Sequence, residues 1–194
     1  MKKFFSLIII STLLISCGEK IDVEKIEYGT IFNPNEVLKE FQEDFTSDYE
    51  IKSYSTVNID NLKIGDINLE SYAVKNGYPI GVNEIYILVE DFKSKKYLGF
   101  DIRLTNDTGD KIIEHFKNKH GNPEIRNGSA NSIAYVWNTK NSWILIDQTE
   151  EINKNKEAYK ETYLTFVKKG TKVYNSKKAN VMTILESFNS TYPK

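Results

Sequence analysis

Apolar residues follow two different periods along this chain, and the alternation between them predicts the order of its elements. Val37, Leu38, Phe41 and Phe45 fall on one helical stripe. Asn33 stands as a cap before Pro34, with Glu36 three residues on, so a helix is predicted from Asn33 to about Phe45. Period-two and β-branched runs then predict strands over Ile51–Ile59, Ile67–Lys75, Glu84–Asp91 and Tyr97–Leu104, the last two joined as an antiparallel hairpin through the polar Phe92–Lys96. Helical spacing returns over Thr108–His120, where Ile112, Ile113 and Phe116 share a face and Gly121 and Pro123 supply the stop. Strands are predicted at Ile133–Asn138, Ser142–Thr149 and Tyr163–Val167, and a last helix at Lys177–Asn189 with Ser176 as its cap.

The connections carry as much information as the elements. Thr139-Lys140-Asn141 reads as a three-residue hairpin loop, with Asn141 tolerating the left-handed conformation, and that register sets Trp137 opposite Trp143. The charge-mixed Glu150–Lys160 reads as a long loop. Helix, four strands, helix, three strands, helix is the signature of an α+β domain: an antiparallel sheet of about six to seven strands with helices packed on one face.

The N-terminus has a pattern of its own. Lys2 and Lys3 precede an apolar run from Phe4 to Ile15, and Ser16 and Cys17 follow before the chain turns polar at Gly18, Glu19 and Lys20. That run is shorter than the roughly 20 apolar residues a spanning helix needs, so it reads as a signal that is removed. Leu14-Ile15-Ser16-Cys17 resembles the lipobox of bacterial lipoproteins at each of its four positions. The resemblance implies cleavage between Ser16 and Cys17, a diacylglyceryl group on the Cys17 sulfur and acylation of the new amino terminus. It also implies outer-membrane sorting in a host with two membranes, because Gly18 and not aspartate follows Cys17, and the outer face of the cell membrane in a host with one. Cys17 is the only cysteine, so no internal disulfide competes for it. Two or three acyl chains hold a protein where one is marginal.

The expected organisation is therefore a signal peptide (1–16), a lipidated tether (17–31) and one globular domain (32–194). The precursor's 40% hydrophobic and 12% aromatic content suits a packed core. Loss of Lys2 and Lys3 leaves 24 Lys and Arg against 27 Asp and Glu, a formal charge of −3 with the lysines scattered, which argues against nucleic acid as a partner.

Candidate chemistry is sparse. Asp107-Thr108-Gly109 is similar to the aspartic-protease loop, but it has no second copy and suits the first turn of a helix. His115 and His120 lie five apart, a spacing that places them about 140° apart around a helix. H-E-x-x-H zinc helices use four. No G-x-S-x-G nucleophile elbow or glycine-rich phosphate loop is present. No catalytic residue, metal ligand or cofactor is assigned. The most distinctive cluster is Tyr135, Trp137 and Trp143, a candidate platform for a sugar ring, a peptide or an envelope protein, with aromatic packing in the core as the plainer account.

Three roles are open to such a protein. The first is a membrane-anchored, non-catalytic binding or accessory module of the cell envelope. The second is an envelope hydrolase with a dispersed Asp/Glu/His site, marked by a histidine beside a carboxylate in a pocket. The third is an inhibitor or immunity-type lipoprotein, marked by an exposed acidic patch around Glu150, Glu151, Glu157 and Glu161.

Overall fold

The computed structural model describes residues 20–46, 49–128 and 132–194. Its strands are β1 (Ile21–Asp22), β2 (Gln42–Phe45), β3 (Lys52–Thr56), β4 (Leu62–Ile64), β5 (Ile67–Asn68), β6 (Glu84–Val89), β7 (Tyr97–Leu104), β8 (Glu124–Asn127), β9 (Ile133–Asn138), β10 (Ser142–Ile152) and β11 (Ala158–Lys168). The helices are α1 (Pro34–Val37), α2 (Thr108–His120) and α3 (Ile184–Thr191). Eight strands form an antiparallel sheet in the order β2-β3-β6-β7-β11-β10-β9-β8, and β1, β4 and β5 form a separate small sheet. The expected antiparallel sheet is present but has eight strands in place of six to seven, and with three helices among the described residues the chain is mostly sheet, α+β or mainly β in class.

Both faces of the large sheet are buried, which explains why its central strands read as near-continuous apolar runs. Ile87, Phe100, Phe166 and Ile144 point to one face and join Ile112, Ile113 and Phe116 of α2. Leu88, Val167, Leu145 and Val136 point to the other and join Ile184 and Phe188 of α3. The helices accordingly lie against opposite faces and not together on one. Ile87, Leu88 and Val89 alternate between the two cores as strand geometry dictates, and the β6–β7 register shifts between Leu88 and Val89.

Several boundaries move for identifiable reasons. The first helix stops after one turn at Val37; Leu38 becomes extended, Glu40 has φ +51°, and Gln42–Phe45 pairs with β3. Pairing covers what would otherwise be an exposed edge of β3, and it outweighs a modest helix propensity. The strand expected over Ile67–Lys75 is real only at Ile67–Asn68, plus a bridge from Ala73 to Val82. The last helix starts at Ile184 because Thr183 and Glu186 make a reciprocal capping box, Glu186 N donating to Thr183 Oγ1 at 3.2 Å and Thr183 N to Glu186 Oε2 at 2.7 Å. The loop expected over 150–160 is mostly strand, paired continuously from Ser142↔Lys168 to Ile152↔Ala158.

The segment expected to be a tether is part of the fold from Ile21 onward. Ile21 and Asp22 pair with Leu62 and Lys63, Val23 is fully buried, and Tyr28 stacks on Tyr97 at 5.8 Å. Tyr28 also donates to Ser142 Oγ at 2.8 Å, so this segment runs across the α2 side of the sheet toward the β9–β10 turn.

Gly99 leaves no room for a side chain against the neighbouring central strand. Its φ is +148°, and a Cβ there would lie 2.1 Å from the Phe166 carbonyl oxygen, a backbone atom that cannot step aside. Gly99→Ala is therefore expected to cost on the order of 4 kcal/mol, the scale of severe core lesions. Thermal unfolding monitored by circular dichroism checks this; a melting temperature within ~2 °C of wild type would contradict it.

Candidate functional site

The β9–β10 turn decides the fate of the aromatic cluster. Asn138 pairs with Trp143 and Trp137 with Ile144, while Thr139 N donates to Ser142 O at 3.2 Å. Only Lys140 and Asn141 remain in the loop, one residue fewer than expected. A one-residue slip turns every side chain of a strand to the other face. Trp137 therefore lies on the α2 side, stacked with Tyr135 at 6.3 Å and tilted against Phe116 at 5.8 Å, and Trp143 lies on the α3 side. They do not face each other across the hairpin.

They meet instead around the end of the sheet. A groove of about 410 Å³ is lined by Trp137, Trp143, His120, Glu124, Arg126 and Asn189, drawn from α2, α3, β8, β9 and β10. Tyr135 does not line it. Trp137 is only 3% exposed and its Nε1 donates to Gly121 O at 2.8 Å, so its indole is mainly a core group whose edge reaches the groove. Trp143 is half-buried, with the Lys169 ammonium 4.9 Å above its ring. Arg126 is buried and fixed on three sides: Nε to Glu124 Oε1 at 3.0 Å, Nη1 to Asn189 Oδ1 at 2.6 Å and to Tyr192 O at 2.9 Å. Beside the groove β8 is an edge strand with Ile125 outward and exposed. An indole beside an open strand edge, braced from beneath by the buried Arg126, suits an extended peptide or a small planar group.

The two histidines are brought together by a residue sequence reasoning overlooked. Glu24, in the short turn after β1, has an almost buried side chain; its Oε2 lies 3.0 Å from His115 Nε2, while its Oε1 lies 2.6 Å from Lys119 Nζ and 4.0 Å from His120 Nε2. Burial, reinforced by Lys119, holds the His120 pKa below the usual histidine range. The His115 ring rests on Gly65, where a Cβ would come within 2.2 Å of it. One ring nitrogen is spent on Glu24 and the Cε1 edge of the ring abuts Gly65, so this carboxylate–histidine pair clamps the N-terminal segment to α2. Asp107 precedes α2 and pairs with Lys111 at 3.0 Å, and Gly109 abuts Thr162, which gives the DTG sequence a helix-start role. Among the described residues no group of His, Cys, Asp and Glu is arranged to hold a metal ion, and no helix is long and apolar enough to cross a membrane.

A polar stripe crosses the α3 face of the sheet. Arg103 bonds Glu84 at 2.8 Å and Val82 O at 3.2 Å, and Tyr163 lies directly opposite it in the register. Glu161, two residues along, is only 7% exposed, and its Oε1 has no hydrogen-bond partner. It therefore does not belong to an exposed acidic patch; Glu150, Glu151 and Glu157 are exposed and Glu161 is not. Cys17 and Ser16 lie outside the described residues.

No family model, curated protein or solved structure matches this chain.

Burial raises the Glu161 pKa above the ordinary glutamate value, with Arg103 opposing and Glu151 and Asp147 adding to the shift. A carboxyl whose pKa is raised by folding stabilises the fold below its unfolded pKa and loses that contribution as pH climbs through the folded value. Glu161→Gln is thus expected to raise the melting temperature at pH 7 by ~2–4 °C, corresponding to about 1 kcal/mol for an unsatisfied buried group. The two proteins should converge below pH 4.5, the ordinary glutamate value. Equal melting temperatures at pH 7 would show the carboxylate to be satisfied.

Proposed function

We propose that this protein is a lipid-anchored module of the cell envelope that binds a partner or small ligand in the groove beside β8, without chemistry of its own. The anchor rests on the Leu14–Cys17 pattern and the single cysteine. The binding role rests on the pre-organised groove, whose walls on β8 and α3 are braced by the buried Arg126 guanidinium through Glu124, Asn189 and Tyr192, with Trp143 at its rim. Walls held this rigidly lose little freedom when a ligand engages them. The hydrolase reading is weakened by the use of His115 in a structural clamp. The inhibitor reading keeps only the three exposed glutamates at the β10–β11 end.

Two substitutions test the proposal separately. Cys17→Ser should leave the protein unacylated and absent from the membrane fraction after carbonate washing; wild-type levels of washed-membrane protein would refute the anchor. Trp143→Ala removes a half-buried ring at the groove and should leave the fold intact, whereas Trp137→Ala opens the core and is expected to cost ~3–5 kcal/mol. Cross-linking in intact envelopes should then show a stoichiometric adduct that falls at least tenfold in Trp143→Ala. An adduct unchanged by Trp143→Ala would move the binding surface elsewhere.

A further inference from the structure

The opposite end of the molecule from the groove carries a different surface. Tyr72, Tyr78, Ile80 and Ile152 are 44–60% exposed, although each is large and apolar enough to be buried in an ordinary fold. They come from two segments that are locked together. Asn153, buried at the β10–β11 tip, donates through Nδ2 to Lys75 O at 2.9 Å and to Glu157 Oε2 at 2.7 Å. Its Oδ1 accepts from the backbone of Asn155 and Glu157. Lys154 N donates to Asn76 O at 3.0 Å, and the Lys154 ammonium sits 5.8 Å from the Tyr78 ring centroid. The patch is therefore a built platform and not a set of stray side chains on a loose loop.

The described chain begins next to it. Lys20 donates to Leu69 O at 3.3 Å, Asn83 holds Glu70 O at 2.9 Å, and Asn83 N donates to Tyr72 O at 2.8 Å. Only Glu70 and Ser71 separate the residue whose carbonyl Lys20 touches from the first exposed tyrosine of the platform, Tyr72. Cys17 precedes Lys20 by three residues, a reach of about 10 Å even when fully extended. Because Ile21 already belongs to β1, an acyl chain on Cys17 cannot hold the domain at arm's length.

We infer that the Tyr72, Tyr78, Ile80 and Ile152 platform rests in the interfacial layer of the phospholipid bilayer that receives the anchor, so that the groove at the β9–β10 end faces away from the membrane. The inference rests on the lipid-anchor reading. Its chemistry fits the interface: tyrosine combines an apolar ring with a hydroxyl that stays wet, isoleucine enters the acyl boundary, and Lys75, Lys154 and Lys156 have stems long enough to carry their charge to the headgroups. Glu150 and Glu151 stand one step back along β10, behind Ile152. The eleven residues of β10 put the two ends of the hairpin roughly 34 Å apart, more than the depth of the headgroup layer.

The sole native cysteine is the proposed lipidation site, so one added cysteine provides a unique label. Fluorophores on Lys75→Cys, at the platform, and on Lys140→Cys, at the far turn, are compared in the lipidated full-length protein reconstituted into vesicles of phosphatidylcholine and phosphatidylglycerol containing brominated lipid. Quenching at residue 75 should exceed that at residue 140 at least threefold, and Tyr72→Ser, Tyr78→Ser, Ile80→Ser and Ile152→Ser combined should abolish the difference. Equal quenching at the two positions, with Cys17 acylation verified by mass, would overturn the inference and leave the patch to a protein. If mass shows Cys17 unacylated, the anchor reading itself fails. Sedimentation of that unacylated protein with the same vesicles then decides the platform alone: binding reduced at least fivefold by the four serines sustains it, and no binding overturns it.

Discussion

The pairing of β10 with β11, unbroken over eleven residue pairs, is the interaction on which the rest of the molecule hangs. Its middle third lies at the centre of the sheet, where Leu145 and Ile146 face opposite cores and receive α3 and α2 respectively. Its Ile152 end runs past the neighbouring strands and is tied by Asn153 to the loop carrying Tyr72 and Tyr78. Its Ser142 end carries the turn to β9, whose two-residue loop sets Trp137 and Trp143 on opposite faces. A shift of one residue anywhere in this ladder would exchange the two cores, which is why the register is strongly specified.

The N-terminal segment ties those two ends together. It enters at Lys20 beside Leu69, passes Glu24 under α2, and reaches Ser142 at the far turn through Tyr28. Glu24 is a nearly buried carboxylate facing two imidazoles and an ammonium, an arrangement in which removing the acid would leave the Lys119 ammonium and the His115 ring nitrogen without their partner. The clamp makes the segment next to the proposed anchor part of the rigid body. The direction in which an anchored domain points then follows from the fold and not from a flexible leash.

Much of the secondary structure was legible because local signals and tertiary demands agreed. Thr108–His120, Tyr97–Leu104 and Ile133–Asn138 have the bounds their periodicity predicts. Where they disagreed, pairing prevailed: Phe41 and Phe45 lie on a good helical stripe yet β2 forms, since an unpaired β3 edge would cost more than a weak helix gains. The β10–β11 extension was hidden because its outer residues are polar on both faces, and a strand beyond the core needs no apolar alternation. Of the candidate site, the tryptophans were visible as types. Arg126, Glu24 and Asn153 were not, since a buried polar residue looks in sequence like any exposed one; the Thr183–Glu186 capping box, by contrast, was there to be read.

The sequence by itself determined composition, the order of the central elements, the three-part N-terminus and its lone cysteine, because each depends on residues close together in the chain. Tertiary structure alone decided which face each tryptophan occupies, that both histidines converge on Glu24, and that the supposed tether packs into the fold from Ile21 onward. Those outcomes depend on register and on contacts between residues scores of positions apart, 91 in the case of Glu24 and His115, and no local period encodes them.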